Sequence, residues 1–243
     1  MRYLIEVAYK GTQYAGFQVQ DNAPTIQWAL EKVLQQFYRQ TIGLTGSSRT
    51  DAGVHAWQNF FHTDVDAALF EPRHVYNLNA MLPGDIVIKQ IVPVADELHC
   101  RFHATHRRYQ YFIHQQKDPF VADRAWYVPY PLDLEKLNAA AAELLLHEDF
   151  TSFSKRNTQT HTMICKLTHS EWHIKDGQYI YTVQANRFLR GMVRGLVGTM
   201  LQVGRGKIDL DRFRQIIVAK DCTQADFSTP AHGLFLAEVG LSW

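Results

Sequence analysis

The chain has 243 residues, of which 46% are hydrophobic and 20% charged, with a formal net charge of +1. No apolar run approaches the roughly 20 residues that a membrane span needs, so no membrane association is expected. The three cysteines (Cys100, Cys165 and Cys222) are widely separated and odd in number, which argues against a disulfide framework and favours the cytoplasm.

The first hundred residues predict alternating strands and helices. Residues 2–9 alternate as in a strand, with Tyr3, Ile5, Val7 and Tyr9 on one side. Thr25 is a suitable N-cap for a helix that starts at Ile26. The further predictions are a strand near Gly43, a turn at Asp51, an extended stretch through Thr63, a short helix with Pro72 in its first turn and its end at Leu82–Asp85, and a strand over residues 86–94.

The second half repeats this alternation. The predicted elements are a strand over 108–114, a helix over 134–146 capped by Asp133, strands over 164–174 and 179–185 joined by the turn Lys175-Asp176-Gly177, a helix over 187–203, a helix after Asp209 and a closing strand over 234–239. The fold predicted is α+β, with two RRM-like or ferredoxin-like lobes, residues 1–105 and 106–243, that share an extended, mostly antiparallel sheet.

Charge is unevenly distributed along the chain. Residues 98–117 and 177–208 contain no acidic side chain but several arginines and lysines, and residues 154–170 are similarly basic. This segregation indicates a basic surface suited to a polyanion. The alternative is a chance clustering of charges on solvated loops.

The octapeptide from Arg49 to Ala56 places one carboxylate, Asp51, two residues after Arg49 and two before Gly53. A cation nearby favours the ionised form of a carboxylate, and an ionised aspartate in a tight turn is a candidate nucleophile.

The predicted helix over 187–203 places Arg187, Arg190 and Arg194 on one face, at 100° per residue. The glycines of the same helix lie beside them: Gly191, Gly195 and Gly198. Each helical glycine costs about 1 kcal/mol relative to alanine, so three of them indicate that a site or a packed strand approaches the helix closely. A solvated arginine face is the alternative.

Residues 107–111 read Arg-Arg-Tyr-Gln-Tyr on a predicted strand. Tyrosine rings beside arginines could form a platform that stacks a base and binds its flanking phosphates, although tyrosines on half-buried strands more often serve packing.

The sequence favours a mechanism without a cofactor. The histidines His99, His103 and His106 have no nearby carboxylate or paired cysteine, so no metal site is predicted. Neither a glycine-rich nucleotide loop nor a Gly-x-Ser-x-Gly motif occurs.

Together, the motifs at 49–56, 107–111 and 186–194 resemble the TruA family of tRNA pseudouridine synthases. The similarity extends to 9–18, 79–86, 149–153 and 233–236, in the family's order. Two departures are Ser48, where the family usually has glycine, and Phe17, where tryptophan is common.

The resemblance implies isomerisation of uridine to pseudouridine at positions 38, 39 and 40 of the tRNA anticodon stem-loop. Asp51 would attack C1′ of the sugar or C6 of the base, or would act through a glycal. Tyr109 would stack on the uracil and could take part in proton transfer, Arg194 would pair with Asp51, and Arg49 would help to flip the nucleotide. The other implied substrate contacts are Arg107, Arg108, Arg187, Arg190 and His55.

The family also implies tRNA as the partner and a homodimer. Two rival functions stay open at this stage. A non-catalytic RNA-binding protein would use the same arginines and tyrosines without needing Asp51, whereas a glycoside hydrolase would need a second carboxylate, and the nearest acids are Asp64 and Asp66.

Overall fold

The computed structural model describes residues 1–66, 69–156 and 160–243. Its helices and strands, in chain order, are β1 (Arg2–Tyr9), α1 (Ile26–Tyr38), β2 (Thr45–Gly46), β3 (His55–Asp64), α2 (His74–Met81), β4 (Ile86–Val94), β5 (His106–His114), β6 (Trp126–Tyr127), α3 (Leu134–Leu144), β7 (Leu167–Lys175), β8 (Gln178–Ala185), α4 (Met192–Gly204), α5 (Leu210–Val218) and β9 (Leu234–Gly240). Helices thus accompany mainly antiparallel strands, which confirms the α+β class.

The described residues form two units, Met1–Thr105 with Phe235–Trp243, and His106–Leu234. Residues Phe235–Trp243 therefore belong to the first unit, whereas the predicted second lobe, residues 106–243, included them. The physical reason is strand pairing: β9 runs parallel to β3, with Phe235 opposite His55.

The first unit contains the strand order β4-β1-β3-β9, with β2 paired to β3. Strand β1 is antiparallel to both of its neighbours and is buried on both faces, since Leu4 is as buried as Ile5. Helix α1 begins after Thr25, whose hydroxyl oxygen accepts a hydrogen bond from the backbone N–H of Trp28 at 3.2 Å, as an N-cap does. These two predicted elements are confirmed.

In the second unit β8 lies between β5 and β7 and is antiparallel to both. The β7–β8 turn has Asp176 at φ 51° and Gly177 at φ 74°. Two left-handed residues in a two-residue turn match the twist of a hairpin, which is why the Asp-Gly pair predicted it correctly. Helix α3 packs on β7 and on α4.

The helix predicted over 187–203 is wrong at its N-terminal end, because α4 begins at Met192. The preceding residue, Gly191, has φ 73°, and a left-handed residue cannot continue a right-handed helix. Arg187 and Arg190 therefore lie outside the helix.

The strand predicted near Gly43 is β2, at Thr45–Gly46. Other boundaries shift by a few residues: α3 ends at Leu144, and β7 begins at Leu167. Within the described ranges, no helix combines the length and the apolar character that crossing a bilayer requires.

Candidate active site

Asp51 lies in the turn that leads into β3. Its carbonyl oxygen accepts a hydrogen bond from the N–H of Val54 at 3.1 Å, and Gly53 adopts φ 78°, a left-handed conformation that costs glycine little. Asp51 itself is partly exposed, whereas Thr50 beside it is buried. The turn therefore keeps Asp51 in contact with solvent next to a buried neighbour.

Thr50 anchors this turn. Its carbonyl oxygen accepts a hydrogen bond from the N–H of Phe17 at 3.1 Å, and its hydroxyl lies 2.8 Å from the hydroxyl of Tyr9. The side-chain amide of Asn59 donates to the same Tyr9 oxygen at 3.1 Å. Burial raises the pKa of Tyr9 to about 12, so this network stays neutral at physiological pH. The residue preceding Asp51 is thus fixed through both backbone and side chain.

Two glycines let the backbone pack directly against the turn. Gly16 adopts φ 117°, and a Cβ there would lie 3.0 Å from the carbonyl oxygen of Thr50. A Cβ on Gly11 would overlap the carbonyl group of Val54. Any side chain at Gly11 therefore requires the turn to move.

We expect Gly11→Ala to lower the free energy of unfolding by about 2 kcal/mol, because forced overpacking against backbone typically costs about 1–3 kcal/mol. The matched control is Gly84→Ala, where an added Cβ would meet nothing within 4 Å. Urea denaturation monitored by circular dichroism measures both variants. Equal midpoints for the two would contradict a tight approach at Gly11.

Arg49 and His55 flank Asp51 in different environments. Arg49 is exposed, and within the first unit's described residues the Asp51 carboxylate has no ion pair with it. His55 is fully buried; its Nδ1 accepts a hydrogen bond from the N–H of Gly11 at 3.0 Å, and its ring packs on Phe235 at 4.6 Å. Arg49 is thus available to an external ligand, while His55 joins the start of β3 to β9 and to the segment after β1.

In the second unit, the residue pattern of β5 confirms the predicted strand. Tyr109 is only 8% exposed, and its ring meets Phe188 edge-on, with centroids 5.0 Å apart. Arg108, the neighbouring residue on the strand, donates two hydrogen bonds to the side-chain oxygen of Gln184, at 3.0 and 2.7 Å. Arg107 donates to the carbonyl oxygen of Asn186 at 3.1 Å. The arginines are partly exposed, so β5 combines a packed tyrosine with accessible cations.

Arg187 and Arg190 lie in the segment between β8 and α4. Arg190 is exposed, and its carbonyl oxygen accepts the N–H of Lys155 at 3.0 Å. The aliphatic stem of Lys155 covers Gly191, where an added Cβ would lie 3.0 Å from it. This segment gathers positive charge by loop contacts rather than along a helical face.

Arg187 also acts electrostatically on a buried thiol. Burial raises the pKa of Cys165 to about 11, and the positive charge of Arg187 opposes that rise. Arg187 therefore lies close to the segment that precedes β7.

Arg194 lies in the first turn of α4 and is partly buried. Its Nε–H donates to the carbonyl oxygen of Thr229 at 2.6 Å. Two glycines after Arg194 let the loop that contains Phe227 and Thr229 lie close to α4. A Cβ on Gly195 would lie 2.7 Å from the ring of Phe227, and one on Gly198 would lie 2.7 Å from the Thr229 hydroxyl. The prediction that the glycines accommodate a close neighbour is confirmed, and the neighbour is a loop rather than a strand.

Across residues 1–66, 69–156 and 160–243, no group of three or more His, Cys, Asp or Glu side chains is arranged to hold a metal ion.

The residues that support the site are not marked by any motif that predicts their role. Tyr9, Thr50 and Asn59 are distant in sequence, and no periodic pattern links them. The available signal was the family-like motif at 9–18, which contains Tyr9 together with both glycines of the turn's packing.

Comparison with known proteins agrees with this architecture. A family model described as tRNA pseudouridine synthase matches residues 5–103 and 140–240. Proteins named tRNA pseudouridine synthase A are similar over nearly the whole chain. The one from Porphyromonas gingivalis is 42% identical, over 98% of this chain and 96% of its own length. The one from Bacteroides fragilis is 44% identical, over 98% and 95%, and the one from Staphylococcus aureus 37%, over 99% and 92%.

These matches cover both units and define an RNA-modifying isomerase. The chain belongs to the TruA family of tRNA pseudouridine synthases, as its motifs indicated.

Proposed function

We propose that the protein converts uridine to pseudouridine at positions 38, 39 and 40 of the tRNA anticodon stem-loop, with Asp51 as the nucleophile. Family membership supports the reaction class. The observation that carries the assignment of Asp51 is its turn, in which a partly exposed carboxylate follows a buried, doubly anchored Thr50. Nucleophiles need a fixed backbone and access to substrate, and this turn provides both.

The reaction moves one bond. The N1–C1′ glycosidic bond of uridine breaks, the detached uracil turns and C5 bonds to C1′. The hydrogen on C5 leaves as a proton and N1 takes up a proton, so the product is an isomer of the substrate. Attack of the carboxylate on C1′, attack on C6 and elimination through a glycal all use the same aspartate. The proposal commits to Asp51 and leaves these three routes open.

Other side chains have assigned roles. Tyr109 stacks on the uracil, and the edge of Phe188 supports its ring. Arg194 pairs with the Asp51 carboxylate through its Nη donors, since its Nε–H is already used by Thr229. Arg49, which is exposed, helps to flip the nucleotide out of its stack.

The tRNA backbone is bound by the cations of the second unit. Arg107, Arg108, Arg187 and Arg190 supply the phosphate contacts. His55 is buried, so its proposed part in substrate binding is to hold the Asp51 turn rather than to touch the tRNA. The proposed location is the cytoplasm, which the three free cysteines support. A homodimer, in which the second subunit extends the tRNA surface, is part of the same proposal.

Tritium release tests the proposal. Transcribed tRNA labelled with tritium at uracil C5 is incubated with the protein, and radioactivity in water is measured. Conversion at all three positions should release up to one tritium per target uridine, because C5 becomes the bond to the sugar. Transcripts with cytidine at positions 38, 39 and 40 are the matched control and should release none.

Two outcomes would contradict the proposal. Binding of tRNA without tritium release would make the protein a non-catalytic RNA-binding protein. Equal release from the cytidine-substituted transcript would place the modified uridines elsewhere in the tRNA.

A further inference from the structure

Tyr111 is the second tyrosine of the Arg-Arg-Tyr-Gln-Tyr motif, and the proposed chemistry gives it no role. It is fully buried, and its hydroxyl donates a hydrogen bond to the carbonyl oxygen of Pro230 at 2.8 Å. A Cβ on Gly233 would lie 2.7 Å from Cζ of the same ring. The tyrosine therefore contacts the loop that precedes β9 at two places.

We propose that Tyr111 is a positioning residue for Arg194, through the loop residues Thr229 and Pro230. This inference rests on the proposed role of Arg194 beside Asp51. The link is short, because Thr229 accepts the Nε–H of Arg194 at 2.6 Å and Pro230, the next residue, accepts the Tyr111 hydroxyl at 2.8 Å. Consecutive carbonyl groups thus join the guanidinium to β5.

The carbonyl of Thr229 determines which part of Arg194 faces a carboxylate. When the Nε–H of a guanidinium donates to a carbonyl, the N–H groups of both Nη atoms stay available for a bidentate ion pair with an anion. Since the guanidinium is planar, a hydrogen bond at Nε also fixes the plane in which those donors lie. Displacement of Thr229 would therefore rotate the guanidinium of Arg194 and both of its Nη donors.

The other end of this loop is held by α4. The N–H of Asp226 donates to the hydroxyl of Thr199 at 3.0 Å, and Gly198 leaves no room between helix and loop. The loop is therefore clamped by α4 on one side and by Tyr111 on the other. Removing the hydroxyl of Tyr111 or that of Thr199 would therefore loosen the carbonyl group of Thr229, which holds Arg194.

Electrostatics keeps the tyrosine in the donor state. Burial raises the pKa of Tyr111 far above its usual range, and the charge of Arg194 opposes that rise only in part. The hydroxyl consequently keeps its proton over the whole pH range in which the enzyme would work.

Tyr111→Phe tests the proposal, with Tyr181→Phe as its matched control. Tyr181 lies opposite Tyr111 on β8, is equally buried, and has its hydroxyl 2.9 Å from Ser170 Oγ. We expect Tyr111→Phe to lower the single-turnover rate of tritium release about tenfold or more, as small misplacements of a reacting group do. Its Kd for tRNA should stay native, and Tyr181→Phe should keep the native rate.

A double-mutant cycle separates positioning from general loss of structure. Combined with Arg194→Ala, Tyr111→Phe should lower the rate no further. Thr199→Val, which removes the hydroxyl at the other end of the loop, should behave in the same way and serves if Tyr111→Phe folds poorly.

The outcomes distinguish this inference from the proposed function. A native rate for Tyr111→Phe, or an equal loss with and without Arg194, would overturn the positioning role while the enzyme assignment stands. A wild-type protein that releases no tritium would overturn the proposed function and this inference with it.

Discussion

Asp51→Asn is expected to lower tritium release by at least about a thousandfold, since removing a nucleophile typically costs that much or more in kcat. The amide has nearly the shape of the carboxylate but cannot form a covalent bond to C1′ or C6 as an anion does. The turn depends on Thr50, Gly16 and Gly11, not on the Asp51 side chain. We therefore expect native folding and native tRNA affinity.

The measurement is single-turnover tritium release, together with tRNA binding by filter retention and urea denaturation. Asp21→Asn is the control, because it makes the same chemical change at an exposed aspartate of the same unit. Release at the native rate by Asp51→Asn would remove Asp51 as nucleophile. It would leave open the family's reaction with a different attacking group.

The second large effect is expected from Arg194→Ala, which should lower kcat about a hundredfold or more while changing the Kd for tRNA less than about threefold. A charge pair that orients a nucleophile acts on turnover, and removal of such a charged partner costs roughly 3 kcal/mol. Affinity for tRNA is instead the sum of many phosphate contacts, of which Arg194 is at most one. Arg194→Lys should recover little of the rate, since lysine has no Nε–H for Thr229 and no planar fork.

Arg212→Ala is the matched control, an exposed arginine on α5 whose side chain hydrogen-bonds only to Gln215 and Gln224 among the described residues. It should keep both the rate and the affinity. If Arg194→Ala instead raised the Kd about a hundredfold at a native kcat, Arg194 would be a phosphate contact and not a partner of Asp51.

Local patterns predicted much of the fold. Strand β1, helix α1 with its Thr25 cap and the β7–β8 hairpin are confirmed, because alternation, capping and the Asp176-Gly177 turn are each decided by neighbouring residues. The pairing of β9 with β3 could not be predicted from such signals. Strand order depends on contacts between distant segments, which no local pattern records.

The candidate site shows the same division. The Asp51 turn and the Tyr109 strand could be recognised from short motifs. The predicted helical face of three arginines was wrong. Gly191, at φ 73°, delays the start of α4 to Met192, so Arg187 and Arg190 lie before the helix. The hydrogen bond from Arg194 to Thr229 joins residues 35 positions apart, and no periodic pattern in the sequence could predict it.

The place of β9 has a consequence for synthesis on the ribosome. The bond from the N–H of Val239 to the side chain of Gln58 joins positions 181 residues apart. At about 5–20 residues per second, β3 would wait on the order of ten seconds for its parallel neighbour to emerge. Until then His55 lacks the ring of Phe235, and the start of β3, at His55 and Ala56, offers unpaired backbone groups to any other strand. The sheet beside the candidate nucleophile is thus completed only after β9 has been synthesised, and a nascent chain stalled before residue 235 would leave the start of β3 without that neighbour.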